Sequence, residues 1–278
     1  MTDSTKTQDG SAATMAAMWG ERAHDWAEVM EGPSGWGIPV YEEIFERVPI
    51  EGSTRLLDVG CGAGRFCRIA RDRGATVAGL DATKELIEIA RERTPDGEFT
   101  VGDMQALPWQ DDSFDVVTGF HSFFLAADMV AALREARRVA RPGGTVALTI
   151  FGRPERCDST GLFAAMRRLV EGEAPAVQDS APKGPSRPAL HEEEVILGLA
   201  GEAGLEPTEL GYLEYVEEYA DVETMARGML AAPPGRAARR ATSADAVREA
   251  LREAAEPRVS DTGTVRLQEE VRYLIATA

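Results

Sequence analysis

The chain has 278 residues, with 47 Asp and Glu against 30 Lys and Arg, a net charge of −17. Such a charge, with no Lys/Arg run or basic amphipathic face, argues against nucleic acid and anionic membrane as partners. No apolar run reaches the length of a membrane-spanning helix, and the length fits one large domain with insertions. The three cysteines, Cys61, Cys67 and Cys157, are odd in number and lack metal spacing. They read as reduced thiols of a cytoplasmic protein, with no zinc or iron site expected.

Residues 1–13 are small and polar without an apolar signal core, and are expected to be a disordered tail. Residues 14–48 read as two helices around the break Gly32-Pro33-Ser34-Gly35-Trp36-Gly37-Ile38-Pro39. Trp19 and Trp26, seven residues apart, share one helix face. Two readings stay open for this segment: a lid over a ligand, carrying Trp19, His24 and Trp26, or burial against the sheet edge. Tyr41 and Phe45, four apart, fit core packing.

The stretch Leu56-Leu57-Asp58-Val59-Gly60-Cys61-Gly62-Ala63-Gly64-Arg65-Phe66 is a buried strand, an acid, a glycine-rich turn and the start of a helix near Arg65. Glycines let backbone approach a ligand closely, and the helix start adds free N–H groups. The spacing is G-x-G-x-G, with Arg65 where a dinucleotide fingerprint needs glycine, and no G-K-[ST] follows. Asp58 would repel a pyrophosphate and suits an ammonium group.

Thr76–Asp81 is a second strand ending in an acid about 17 residues past Gly64, near where a ribose diol is held in such folds. Phe99–Met104 is a third short strand ending in Asp103, whose carboxylate could accept from an adenine amino group while Met104 packs on the ring. Ser113–Phe120 is a fourth strand, followed by His121-Ser122-Phe123-Phe124. Arg138–Leu148 is a helix end, a Pro-Gly-Gly turn and a fifth strand. Helix-period segments over 65–73, 84–93 and 128–140 alternate with these strands. The alternation gives an α/β, doubly wound, Rossmann-like sheet of mostly parallel strands with helices on both faces. Taken singly, Asp58, Asp81 and Asp103 read equally as turn or capping acids.

In order and spacing, residues 52–151 resemble the class I S-adenosylmethionine-dependent methyltransferases, nearest the small-molecule, type 11-like branch. The resemblance implies S-adenosyl-L-methionine as cofactor and S-adenosyl-L-homocysteine as product. It gives Gly60, Cys61, Gly62 and Gly64 the loop role beside Asp58. Asp81 with Ala82 takes the ribose, Asp103 and Met104 the adenine, and Phe120 and His121 the cofactor wall. Nothing of an Asn-Pro-Pro-Tyr type follows the fourth strand, which argues against methylation of bases.

Beyond the core (49–151), residues 152–190 read as a Pro/Gly-rich cap or linker with a helix near 160–171. Residues 191–220 return to the core as a helix over 191–203 and a sixth strand over 206–219. Residues 221–260 are a helical insertion interrupted at Pro233-Pro234-Gly235, and 261–278 hold an antiparallel seventh strand over 264–276. The insertion should build a helical cap over the carboxyl edge, where ligands bind in open α/β sheets.

Methyl transfer needs mainly in-line placement, and a general base helps with some acceptors. His121 is the candidate base, since an ordinary imidazole titrates near neutrality; the other reading is a cofactor-wall or hydrogen-bonded structural residue. His191, Tyr41, Tyr215 and Tyr219 are weaker candidates. Phe120, Phe123 and Phe124, with Trp19 and Trp26, favour a partly apolar, aromatic or polyketide-like acceptor. The expected activity is methylation of an O, N or C atom of a small metabolite by a monomer or homodimer. The alternatives are a non-methylating relative such as a cyclase, and a binding module that has lost the pocket.

Overall fold

The computed structural model describes residues 11–32, 35–172 and 189–278. Seven strands form one sheet in the order β3-β2-β1-β4-β5-β7-β6. β1 (Arg55–Val59), β2 (Thr76–Asp81), β3 (Glu98–Val101), β4 (Phe114–Phe120) and β5 (Ala140–Phe151) pair in parallel. β7 (Val265–Thr277) runs antiparallel between β5 and β6 (Glu206–Tyr219). This is the mostly parallel sheet with an antiparallel last strand that the sequence implied. The order reverses between β1 and β4, so a crevice opens at their carboxyl ends.

The period-2 pattern of the strands sorts their side chains into two cores. Leu56, Val77 and Val116 face α3 (Ile38–Arg47) and α4 (Arg65–Asp72), against Ile44, Phe66 and Ala70. Leu57, Leu80 and Val117 face α6 (Met129–Val139) and α8 (Glu193–Glu202), against Leu133, Ala136 and Ile196. α5 (Lys84–Arg93) joins the first face through Ile87 and Ala90.

β6 and β7, with 14 and 13 residues against the 5 of β1, form a ribbon running past the sheet's carboxyl edge. Its far end, with Tyr219, Val265 and Leu267, is buried under α7 (Ser159–Glu171), α9 (Val222–Ala231), α10 (Pro233–Ala241) and α11 (Ala244–Ala255). Val29 and Met30 of the N-terminal segment join the same cluster. No helix among the described residues is long and apolar enough to cross a membrane.

Several expected boundaries move for local reasons. The tail expected over 1–13 lies outside the described residues up to residue 10, and Ser11 already begins α1 (Ser11–Trp19). The first lid helix does not continue through Trp26: after α1 come a 3-10 turn (Gly20–Arg22), a single turn α2 (Ala23–Asp25) and a π-turn (Trp26–Met30). Pro233-Pro234-Gly235 does not interrupt a helix but begins α10, because proline fits the first helical turn, where its missing N–H costs nothing. The real break falls at Thr242-Ser243, where the Ser243 hydroxyl accepts from Ala246 N–H and caps α11. His191 lies before α8 rather than in it. The Pro142-Gly143-Gly144 turn falls inside β5 as a bulge: Gly143 has φ of 74°, and the pairing jumps from Phe114 with Ala140 to Val116 with Thr145.

Candidate donor and acceptor site

The glycine-rich turn leaves β1 at the reversal point of the sheet. Gly60 and Gly62 have φ of 76° and 55°, a region favouring glycine. A Cβ on Gly60 would collide with Ser122 Cβ, and one on Gly62 with the Glu31 carboxylate. The loop N–H groups are fully accounted for. Gly60 and Cys61 donate to Leu80 O at 2.7 and 3.0 Å, and Gly64 to Cys61 O at 2.9 Å. Gly62 donates to Asp81 Oδ2 at 3.0 Å, and Ala63 and Arg65 donate to Glu31 at 2.8 and 3.3 Å.

Besides Glu31 on the loop, three carboxyls stand at the ends of β1, β2 and β3. Asp58 is buried and accepts from Thr118 Oγ1 at 2.8 Å. Burial, reinforced by Glu31 and Asp81, pushes it up to about 7. Asp81 lies half-buried at the end of β2, its Oδ1 taken by Thr83 N–H at 2.8 Å. Burial raises its pKa against the pull of these backbone donors. Asp81 is thus a turn-and-cap acid that still reaches the surface of the crevice. Asp103 lies just past the end of β3, its Oδ1 held by Gln105 N–H at 2.9 Å. Ala82, Gly102, Asp103 and Met104 are half-buried along the ends of β2 and β3.

The end of β4 carries the second half of the site. Phe120 turns into the core, 4.4 Å from Phe66 and 4.7 Å from Tyr41 between ring centroids. His121 has φ of 51°, which costs a non-glycine residue on the order of 1 kcal/mol. Thr149 Oγ1 accepts the His121 backbone N–H at 3.2 Å and shares a 3.0 Å hydrogen bond with Nδ1. Nε2 is buried without a hydrogen-bond partner, and the residue is 8 % exposed. Burial lowers the imidazole pKa to about 3, so the ring is neutral at physiological pH. This corrects the expectation of a base titrating near neutrality.

Aromatic rings box His121. Trp36 and Phe151 stand edge-on at 4.6 and 4.7 Å, with Phe124 at 6.4 Å. Phe163 of α7 stands 6.3 Å from Phe151. Phe151, at the carboxyl end of β5, is 47 % exposed, so the box reaches the surface there. Beyond it, on the ribbon, Tyr215, Glu217 and Tyr219 alternate onto one face, opposite Glu269 and Leu267 of β7. Tyr219 OH donates to Glu217, while Glu269 accepts from Ser159 N–H and Oγ, both at 2.8 Å. Burial, with Glu269 nearby, pushes Glu217 up to about 8.

Other candidates lie elsewhere or serve differently. Trp19 and Trp26 do share a face, 4.6 Å apart, but they pack on Ala63, Leu86 and Ile89. They seat the N-terminal segment, and Trp26 Nε1 donates to Glu31 Oε1 at 2.8 Å. His24 is exposed and faces a surface cavity with Glu85, Glu88 and Glu92, away from the loop. His191 contributes its carbonyl to Tyr212 OH at 3.1 Å. Phe123 is fully buried in the α6 core. Sequence reasoning missed Glu31, Phe151 and Glu217 and gave Trp36 no role. Only the acid beside the glycine-rich break at 32–37 offered a signal.

These features, a crevice at the sheet reversal with a G-x-G-x-G turn and acids closing β1 and β2, define a class. Residues 57–148 match the family model described as a methyltransferase domain, so this part of the chain is similar to methyltransferases. Methyltransferase GfsG of Streptomyces halstedii is 37 % identical over 119 residues, 40 % of this chain and 43 % of that protein. The malonyl-[acyl-carrier protein] O-methyltransferase of Serratia marcescens is 35 % identical over 108 residues, 37 % of this chain and 42 % of that protein. The matches thus span less than half the length of these relatives. The solved structure of the [4+2]-cyclase SpnF superposes with a TM-score of 0.61 over 96 % of this chain and 95 % of that one, at 19 % identity, a likeness of fold.

Proposed function

We propose that this protein transfers a methyl group from S-adenosyl-L-methionine to an O, N or C atom of a small metabolite, acting in the cytoplasm. The observation that carries this reading is the run of carboxyls along one crevice: Asp58 under the loop, Asp81 after β2 and Asp103 after β3. Gly60 and Gly62 admit no side chain, because Ser122 and Glu31 stand where a Cβ would point, and this bare loop would face the amino-acid end of that donor. Asp81 with Ala82 would hold the ribose, and Asp103 with Met104 the adenine.

The sulfonium supplies an already activated methyl group, so the protein's own work is placement. Thr118 fixes Asp58, a buried carboxyl raised to about 7, which a cationic donor beside it would hold ionised. The strained His121, tied to Thr149, keeps Nε2 buried and unpaired inside the aromatic box, where an acceptor entering beside it would be its partner. In its neutral form Nε2 orients an acceptor heteroatom by a hydrogen bond; a group with a pKa of about 3 is a weak base at neutral pH. Phe124, Phe151, Phe163 and Trp36 exclude water and suit an apolar, aromatic or polyketide-like acceptor. GfsG and the malonyl-[acyl-carrier protein] enzyme, methyltransferases by name, support transfer over a non-methylating use of the fold.

The test is product analysis. Purified protein is incubated with S-adenosylmethionine and a library of small acceptors. Stoichiometric S-adenosylhomocysteine and a product heavier by one methylene support transfer. Acceptor conversion with no S-adenosylhomocysteine would mean a non-methylating catalyst. Absence of donor binding by calorimetry would reject both.

A further inference from the structure

We propose that Glu31 belongs to the donor site: its carboxylate occupies the loop N–H groups that the donor's own carboxylate takes on binding. The N-terminal segment and the donor then compete for one place. The inference rests on the donor-site reading above and adds a residue that sets donor affinity.

The hydrogen-bond accounting of the loop singles Glu31 out. Gly60, Cys61, Gly62 and Gly64 donate to groups of the loop itself and of β2. Ala63 and Arg65 alone donate to a distant segment, both to Glu31. That carboxylate is 5 % exposed, and a Cβ on Gly62 would run into it. It therefore lies in the space a side-chain-free loop leaves for a ligand. It forms no ion pair among the described residues; its third hydrogen bond comes from Trp26 Nε1. The cations whose fields reach it are Arg93, bonded to Ala27 O, and Arg65. A carboxylate on backbone N–H groups at the start of α4 sits where a helix attracts anions.

The donor is an α-amino acid with two positive charges and one negative. Its ammonium and sulfonium suit a crevice walled by Asp58 and Asp81. Its carboxylate does not, and the Ala63 and Arg65 N–H groups are the anion-binding groups of this loop. One carboxylate fills that pair. The ends of β2 and β3, which would take the adenosine half, stay partly exposed meanwhile, since Asp81, Ala82, Asp103 and Met104 are half-buried. The adenosyl group can therefore seat first, and the amino-acid end displaces Glu31 afterwards. If the latched form holds about nine-tenths of the molecules, its loss tightens apparent donor binding about tenfold.

Calorimetry with two ligands tests this on wild type, Glu31→Gln and Glu31→Ala. S-adenosylhomocysteine carries the amino-acid end; 5′-methylthioadenosine lacks it. Glu31→Ala should bind the first about tenfold more tightly and the second unchanged, with Glu31→Gln in between. Weaker or equal binding of S-adenosylhomocysteine, or equal changes for both ligands, would overturn the proposal. Amide hydrogen exchange of the ligand-free proteins gives a second readout. Ala63 and Arg65 should exchange faster in Glu31→Ala, with Gly60 and Cys61 unchanged. If neither ligand binds any of the three proteins, the donor-site reading fails and takes the competition with it; equal exchange at Ala63 and Arg65 overturns the latch separately.

Discussion

Glu217→Gln should stabilise this protein, by an amount that grows with pH. Glu217 is 5 % exposed on the ribbon, and no cation pairs with it among the described residues. The groups facing it are Tyr215 and Tyr219 on its own strand and Leu267 and Glu269 on β7, with Tyr219 as its hydrogen-bond donor. Burial and Glu269 raise its pKa from 4.5 to about 8. A raised folded pKa means that folding favours the protonated acid. The stability this gives is whole below pH 4.5 and is lost as pH rises to about 8. At pH 7 the ionised reference has opened a gap of roughly 2.5 units, worth about 3 kcal/mol at about 1.4 kcal/mol per unit. Glutamine keeps the shape and the acceptor for Tyr219 without the charge. Urea unfolding followed by circular dichroism should therefore give equal stabilities at pH 4.5. At pH 7 the variant should gain about 3 kcal/mol, and more at pH 8.5. A variant no more stable than wild type at pH 8.5 would refute the reasoning, since it would mean the carboxylate has a cationic or water partner in the folded chain.

Three further outcomes are expected. Asp81→Ala removes the acceptor of Gly62 and Thr83 N–H and should weaken S-adenosylhomocysteine binding at least tenfold by calorimetry, with the fold retained; unchanged affinity would mean the ribose contact lies elsewhere. Gly60→Ala meets Ser122 Cβ and a positive φ, and thermal unfolding should show a loss of about 1–3 kcal/mol; an unshifted melting curve would contradict the tight loop. His121 is lowered from 6.5 to about 3 by burial, so it favours the folded state above pH 6.5 and that stability fades as pH falls towards 3. Its ring proton resonances should stay at the neutral position down to pH 4, and a midpoint near 6.5 would count against the closed aromatic box.

Reading this chain in order recovers whatever neighbouring residues decide among themselves. The first three core strands were legible from apolar runs closed by an acid, and the α4 start from the G-x-G-x-G turn before it. The carboxyls at 58, 81 and 103 were legible as a set because they close successive parallel strands, which end at one edge. The local signal at Pro233 was read as a break although proline begins a helix there, and the Ser243 cap of the next helix went unread.

The sequence by itself therefore determined the sheet, its reversal point and the acids along the crevice, since these follow from strand periodicity and the handed β-α-β connection. Only the tertiary structure decided what fills and walls the crevice. Glu31 reaches the loop from 32 residues before Ala63, and Trp36, Phe151 and Glu217 converge from the N-terminal segment, the end of β5 and the ribbon. A glutamate in a glycine-rich break reads locally as a solvated side chain. Long-range packing buries it, and burial alone turned His121 from a neutral-pH base candidate into an uncharged ring.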